Sequence, residues 1–122
     1  MEYHVVDPAD ISPTPDRPSD HHAVSDALGL ERMALNVYRA EPGDQLPLAY
    51  HVHDEQEEAF YVLDGTLHVE TPDGEHVVDT GELFVAEPES PHRAFVPADA
   101  DTTVRALAVG APAVDDVHPY EE

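Results

Sequence analysis

A chain of 122 residues, 41% of them apolar, can bury one core but hardly two. The absence of cysteine excludes disulfides, thiolate metal sites and cysteine nucleophiles. Against 27 acids stand 5 basic residues, all arginine, and the formal net charge of -22 makes nucleic acid and anionic membranes poor partners.

The N-terminus, MEYHVVDPAD, is acidic and lacks the basic start of a signal peptide. Residues 7–20, DPADISPTPDRPSD, hold four prolines, which fix φ and remove backbone donors, so this stretch reads as an extended arm. HHAVSDALGLE offers one short turn of helix before Gly29. The pattern then changes to period two: RMALNVYRAE alternates, with Met33, Leu35 and Val37 on one face. EPGD at 41–44 breaks it. Strands are predicted at 49–53, 58–63, 66–70, 75–79, 83–86, 92–96 and 102–109. Between them lie Asp64-Gly65, Pro72-Asp73-Gly74, Thr80-Gly81, Pro88 to Pro91 and Pro97 to Asp101, all turn chemistry. TPDGE between two short strands predicts a hairpin. Many short strands with regular turns make an all-β sandwich or barrel. The domain spans 31–110, with an irregular arm at 1–30 and an irregular acidic tail at 111–122. No apolar run approaches the length of a membrane span.

The charge carries its own expectation. Such a surface repels itself in dilute buffer, whereas molar salt shortens the Debye length to about 3 Å and removes most of that penalty. The acids are scattered rather than gathered in a tail, which points to a cytoplasmic protein of a halophilic organism.

The chemistry gathers in AYHVHDEQEEAFYVLDG, residues 49–65. Side chains alternate along a strand, so His51 and His53 project from one face, where both rings can reach one ion. Glu58 shares parity with Phe60 and Val62; if that parity points inward, Glu58 joins the histidines and Glu57 points away. His92 comes much later, in EPESPHRAF. Three imidazoles and a carboxylate form a mixed N/O set suited to one divalent transition metal (Fe, Mn, Ni, Co, Cu or Zn) and not to Ca or Mg. The remaining residues have plainer readings. His68 faces water, His76 follows a turn, and His21, His22 and His118 lie in loops. Arg93 and Arg105 are surface partners for acids. Tyr38, Tyr50 and Tyr61 pack.

HVHDEQEEAFYVLDG resembles the first motif of the cupins, with His51, His53, Glu58 and Gly65 at the matching positions; only Glu58 leaves six residues before the glycine. GELFVAEPESPHRAF resembles the second motif through Gly81, Pro88, Pro91 and His92. The likeness covers about residues 31–109. Glu89 stands where many cupins place glycine, Val96 where asparagine is common, and Gly43 lies farther from His51 than usual. The resemblance implies a small antiparallel jelly-roll β-barrel with one metal inside, held by His51, His53, Glu58 and His92. It further implies a small-molecule substrate and a metal-dependent reaction, with a dioxygenase as the leading expectation. A non-catalytic binding or storage protein and a sugar isomerase or epimerase are the alternatives. Inward-facing Ala94, Ala106 and Ala108 are expected to leave room for the substrate. Cupins commonly pair sheets or exchange N-terminal strands. With 59–63 and 83–86 apolar on both faces, this predicts a homodimer in which residues 2–6 add an edge strand.

Overall fold

The computed structural model describes residues 2–121, without the side chains of 47–49. After a 3-10 turn at Pro8–Asp10, the chain forms β1 (Asp20–Ala23), α1 (Val24–Leu28), β2 (Ala34–Ala40), β3 (Gln45–His53), β4 (Glu57–Asp64) and β5 (Leu67–Thr71). There follow β6 (Gly74–Val78), β7 (Leu83–Ala86), β8 (His92–Phe95), β9 (Val104–Ala111) and β10 (Val117–Pro119). Two five-stranded sheets result, ordered β1-β2-β9-β4-β7 and β10-β3-β8-β5-β6. Every strand pair is antiparallel. The fold is all-β, as the turn pattern predicts, and takes the antiparallel jelly-roll arrangement that the resemblance implies.

The core lies between the sheets and follows strand parity. In β4, Glu58, Phe60 and Val62 are buried, while Glu57 and Tyr61 are exposed. Leu46, Leu67, Val69, Val96 and Val104 complete the interior, each under 2% exposed. Large residues on β4 sit opposite small ones on β9: Phe60 faces Ala108 and Val62 faces Ala106. Ala106, Ala108 and Ala94 are buried in the hydrophobic core.

On β2 Leu35 and Val37 share one face as expected, and Tyr38 and Ala40 on the other face join the core opposite the small residues of β9. Two other expectations need correction. His21 and His22 stand on β1, not in a loop; the His21 ring stacks on Tyr38 at 4.9 Å and its Nε2 bonds Asn36 at 2.9 Å. The tail carries β10, which places His118 on a strand. Within the single chain residues 2–6 form no strand. The helical turn before Gly29, the 72–74 hairpin and the arginine pairings, Arg93 with Glu70 at 3.1 Å and Arg105 with Asp64 at 2.9 Å, are as expected.

Gly65 closes the turn after β4 at φ 82°, a left-handed conformation, and a Cβ there would lie 2.6 Å from the Thr103 carbonyl oxygen. Backbone cannot yield as a side-chain tip can. Gly65→Ala should therefore cost about 1–3 kcal/mol for the dihedral strain alone, with the clash adding to it, read as a lowered urea midpoint with an unchanged slope.

Candidate metal centre

The ladder between β3 and β8 shifts register between Leu46 and His51. That irregularity changes the strand's parity, so that both Leu46 and His51 point inward. His51 then pairs directly across from His92, with ring centroids 4.6 Å apart. His53 lies one pleat repeat farther along the same face, its ring 5.0 Å from that of His51. Glu58 comes from the opposite sheet. Its neighbours across the ladder are Ala86 and Gly110, both small. A Cβ at Gly110 would meet the Gln56 side chain at 2.6 Å, so the loop before β4 packs tightly over this end of β9.

The donor atoms of His51, Glu58 and His92 all lie within 4.8 Å of one another, and all three residues are buried. Glu58 is the hub. Its Oε1 is 2.8 Å from His92 Nε2 and 3.8 Å from His51 Nε2, and its Oε2 is 3.8 Å from His53 Nε2. His53 stands at the margin, reaching the group through Glu58. Glu57 is exposed on the other face.

Hydrogen bonds fix which nitrogens carry protons. His92 Nδ1 is 2.9 Å from the Ser90 carbonyl, a pure acceptor, so Nδ1–H donates. His53 Nδ1–H likewise donates to Asp116 Oδ1 at 2.9 Å. In their neutral forms both rings therefore aim an Nε2 lone pair at the Glu58 carboxylate, and His53 Nε2 is buried without a hydrogen-bond partner. Lone pairs so close need a positive centre, either a proton or a metal ion. Two donors each about 2.0–2.1 Å from one ion at a right angle stand about 2.9 Å apart, which matches the His92–Glu58 separation. The residues present thus fit a metal ion. In the metal-free protein a proton takes its place. Burial pushes the Glu58 carboxyl up, but bonds from His51 and His92 and their charge outweigh it and hold the group at about 2. Burial lowers His92, yet the bond to Glu58, the Ser90 carbonyl and the Glu58 charge win and raise it. Burial, and then the charge of Glu58, raises the Tyr38 hydroxyl, which stays protonated.

Asp116 is the member that sequence reasoning missed. Besides His53, it accepts the Glu55 and Gln56 backbone N–H groups on Oδ2 at 2.6 and 2.8 Å. These bonds and the bond from His53 outweigh burial and hold its carboxyl at about 2. The signal available was its place in an acidic tail, which by composition looks like solvated chain. A cleft of about 410 Å³ reaches His92 from outside. Its walls include His76 and Phe84, whose rings lie 5.9 Å apart and tilted by 53°, and the Phe84 ring in turn lies 5.9 Å from that of His92. Asp73, Glu87 and Glu89 also line it. Glu89 has φ 66°, the left-handed backbone that explains glycine as the common residue at this turn.

The sequence from 36 to 110 matches the family model described as "Cupin domain". The chain belongs to the cupins. Among solved structures this cupin is similar to the polyketide cyclase RemF from Streptomyces resistomycificus, at 22% identity over 99% of this chain and 87% of that one, TM-score 0.80. It is also similar to a sugar phosphate isomerase from Silicibacter pomeroyi, at 24% identity over 98% and 83% of the chains, TM-score 0.77. A third is a predicted oxalate decarboxylase from Thermotoga maritima, at 16% identity over 89% and 99%, TM-score 0.75. No curated protein matches the sequence. At such identities the structural likeness speaks for the fold, which these neighbours use for different chemistries.

Proposed function

We propose that this cupin is a metal-dependent enzyme acting on a small uncharged or cationic molecule, and that the reaction is a dioxygenation. The observation that carries the proposal is the convergence of imidazole lone pairs on Glu58, beside a cleft that reaches His92. His51, His53, Glu58 and His92 would hold one divalent transition metal. When bound, it would supply Lewis acidity, a template for a ligand with adjacent oxygens and, for a redox metal, access to dioxygen. The chain supplies the rest. Ser90 and Asp116 orient His92 and His53. Phe84 offers an apolar wall for the carbon skeleton. Asp73, Glu87 and Glu89 disfavour anionic ligands by like-charge repulsion. Oxygen uptake by the iron- or manganese-loaded protein with a panel of neutral diols and diketones tests the reaction. Turnover of such a compound without oxygen uptake would favour a second reading, a redox-neutral reaction, which the likeness to a polyketide cyclase along nearly the whole chain supports. Tight binding with no turnover of any kind would make it a binding protein.

The proposal extends to a cytoplasmic homodimer adapted to salt. Tyr61, Leu83 and Val85 are 38%, 62% and 59% exposed on the outer face of β4 and β7, at the edge of their sheet. With Ala59, Leu107 and Val109 they form an uncharged face on a chain with net charge -22, suited to a second copy of itself. Light scattering should give a dimer in molar KCl at micromolar concentration. The melting temperature at fixed metal content should climb as KCl rises from millimolar to molar. A monomer, or a flat salt curve, removes the corresponding half of this reading.

A further inference from the structure

We infer that Asp116 is the positioning residue of the metal centre, and that the C-terminal segment is a strap which sets the His53 tautomer from outside the barrel. The inference rests on the metal reading above. Asp116 immediately precedes β10, whose residues Val117, His118 and Pro119 pair with His53, Val52 and His51, the histidine-bearing end of β3. The strap is fastened on both sides of that pairing. His118 Nε2 meets Asp54 Oδ2 at 2.7 Å, the Tyr120 N–H donates to the Tyr50 carbonyl at 3.0 Å, and the two tyrosine rings lie 5.1 Å apart. At its start, Gln56 Nε2 donates to the Pro112 carbonyl at 3.0 Å.

Asp116 thus reaches its partners from a held backbone, and its two oxygens divide the work. Oδ1 takes the His53 Nδ1 proton; Oδ2 takes two backbone N–H groups from the turn that leads into Glu58. A carboxylate can only accept. It therefore compels His53 to carry its proton on Nδ1 and to present Nε2 as a lone pair toward Glu58. The same side chain sets the turn between the histidine strand and the carboxylate strand. One residue, 58 positions after Glu58, couples the ligands of the two sheets.

Asp116→Asn separates this role from a merely structural one. The amide has the same shape. Its single oxygen is best placed on the two backbone N–H groups, which turns the NH₂ toward His53. An NH₂ donates, so Nδ1 must become the acceptor and the proton must move to Nε2, where it blocks ligation. Three readouts on the full chain follow. Nitrogen-15 correlation spectra of the metal-free protein at about pH 8, above the ordinary imidazole value of about 6.5, should show His53 as the Nδ1–H tautomer in the wild type and as Nε2–H in Asp116→Asn. Equilibrium dialysis with zinc chloride should show affinity about 10–100-fold weaker in the variant, the usual size for losing the partner of a ligating histidine. Thermal melts of the metal-free forms should differ by only a few degrees. Unchanged zinc affinity in Asp116→Asn, or the Nε2–H tautomer in the wild type, overturns the inference. A wild type that takes up no zinc overturns the metal centre instead, and the tautomer comparison then decides the role of Asp116 alone. If Asp116→Asn unfolds, Asp116→Glu, which remains acceptor-only, must keep the Nδ1–H tautomer for the inference to stand.

Discussion

Glu58→Gln, His51→Ala and His92→Ala should each weaken metal binding by more than about 100-fold, beyond the range seen for outer partners of a ligand, while Glu57→Gln should leave it unchanged. The two glutamates are neighbours in sequence and opposites in the fold. Glu58 is 8% exposed and within 3.8 Å of three imidazole nitrogens; Glu57 lies on the solvent side of β4. Glu58→Gln keeps the shape and removes the one negative charge among the four proposed ligands, so its loss is electrostatic. The histidine truncations remove a bond outright. His53→Ala should cost less than either, since its ring sits at the margin of the cluster. Equilibrium dialysis with elemental analysis decides. Metal lost in Glu57→Gln and kept in Glu58→Gln would mean that β4 is shifted by one residue. Full metal in all the variants would remove the site.

The second large effect is a reversal of pH dependence on metal loading. In the metal-free protein the Glu58 carboxyl has a folded pKa of about 2, below its ordinary value of 4.5. Its stabilising contribution is therefore fully present above about pH 4.5 and is lost as pH falls toward 2. His92 has a raised folded pKa against an ordinary 6.5. Its contribution is present below about pH 6.5 and is lost as pH rises through the folded value. The two overlap between about pH 4.5 and 6.5, where the buried Glu58–His92 ion pair is complete, and the metal-free protein should melt highest there. Metal needs unprotonated imidazoles, so its affinity grows as the pH rises. The loaded protein should gain melting temperature on the alkaline side, just where the metal-free form declines. Thermal melts of both forms from pH 3 to 9 check this. Parallel curves would mean that metal and proton do not compete at Glu58.

What could be read from sequence was what local periodicity encodes. His51, His53 and Glu58 are related by strand parity over a few residues, and a hairpin announces itself in Pro72-Asp73-Gly74. His92 could be joined to them only through the resemblance of its proline-rich turn. Relations set by tertiary pairing left no such mark. The core face of β2 is decided by which residues of β9 it meets, and Tyr38 looks no more internal than Leu35 and Val37. His21 is buried because Tyr38 lies across the ladder from it. Asp116 acts through β10, three residues whose pairing with β3 no turn signal foretells. Nothing at Ala106 and Ala108 announces that Val62 and Phe60 lie opposite them.

The seam along the cleft has a mechanical consequence. β6 and β7 are the outermost strands of different sheets, and neither pairs with the other. Near the turn between them they are pinned, by the Gly81 and Glu82 bonds to Val62 and Asp79 and by Thr66 to Asp79. At the far end, around Pro72 and Glu89, the cleft separates them. The pair is shaped like a clip, bonded at its closed end and held at its jaws by side-chain contacts alone. Spreading the jaws stretches side-chain contacts and breaks no rung of either ladder. Opening this end would work against side-chain packing around Phe84 and His76, while His51, His92 and Glu58 behind them are held in the two ladders.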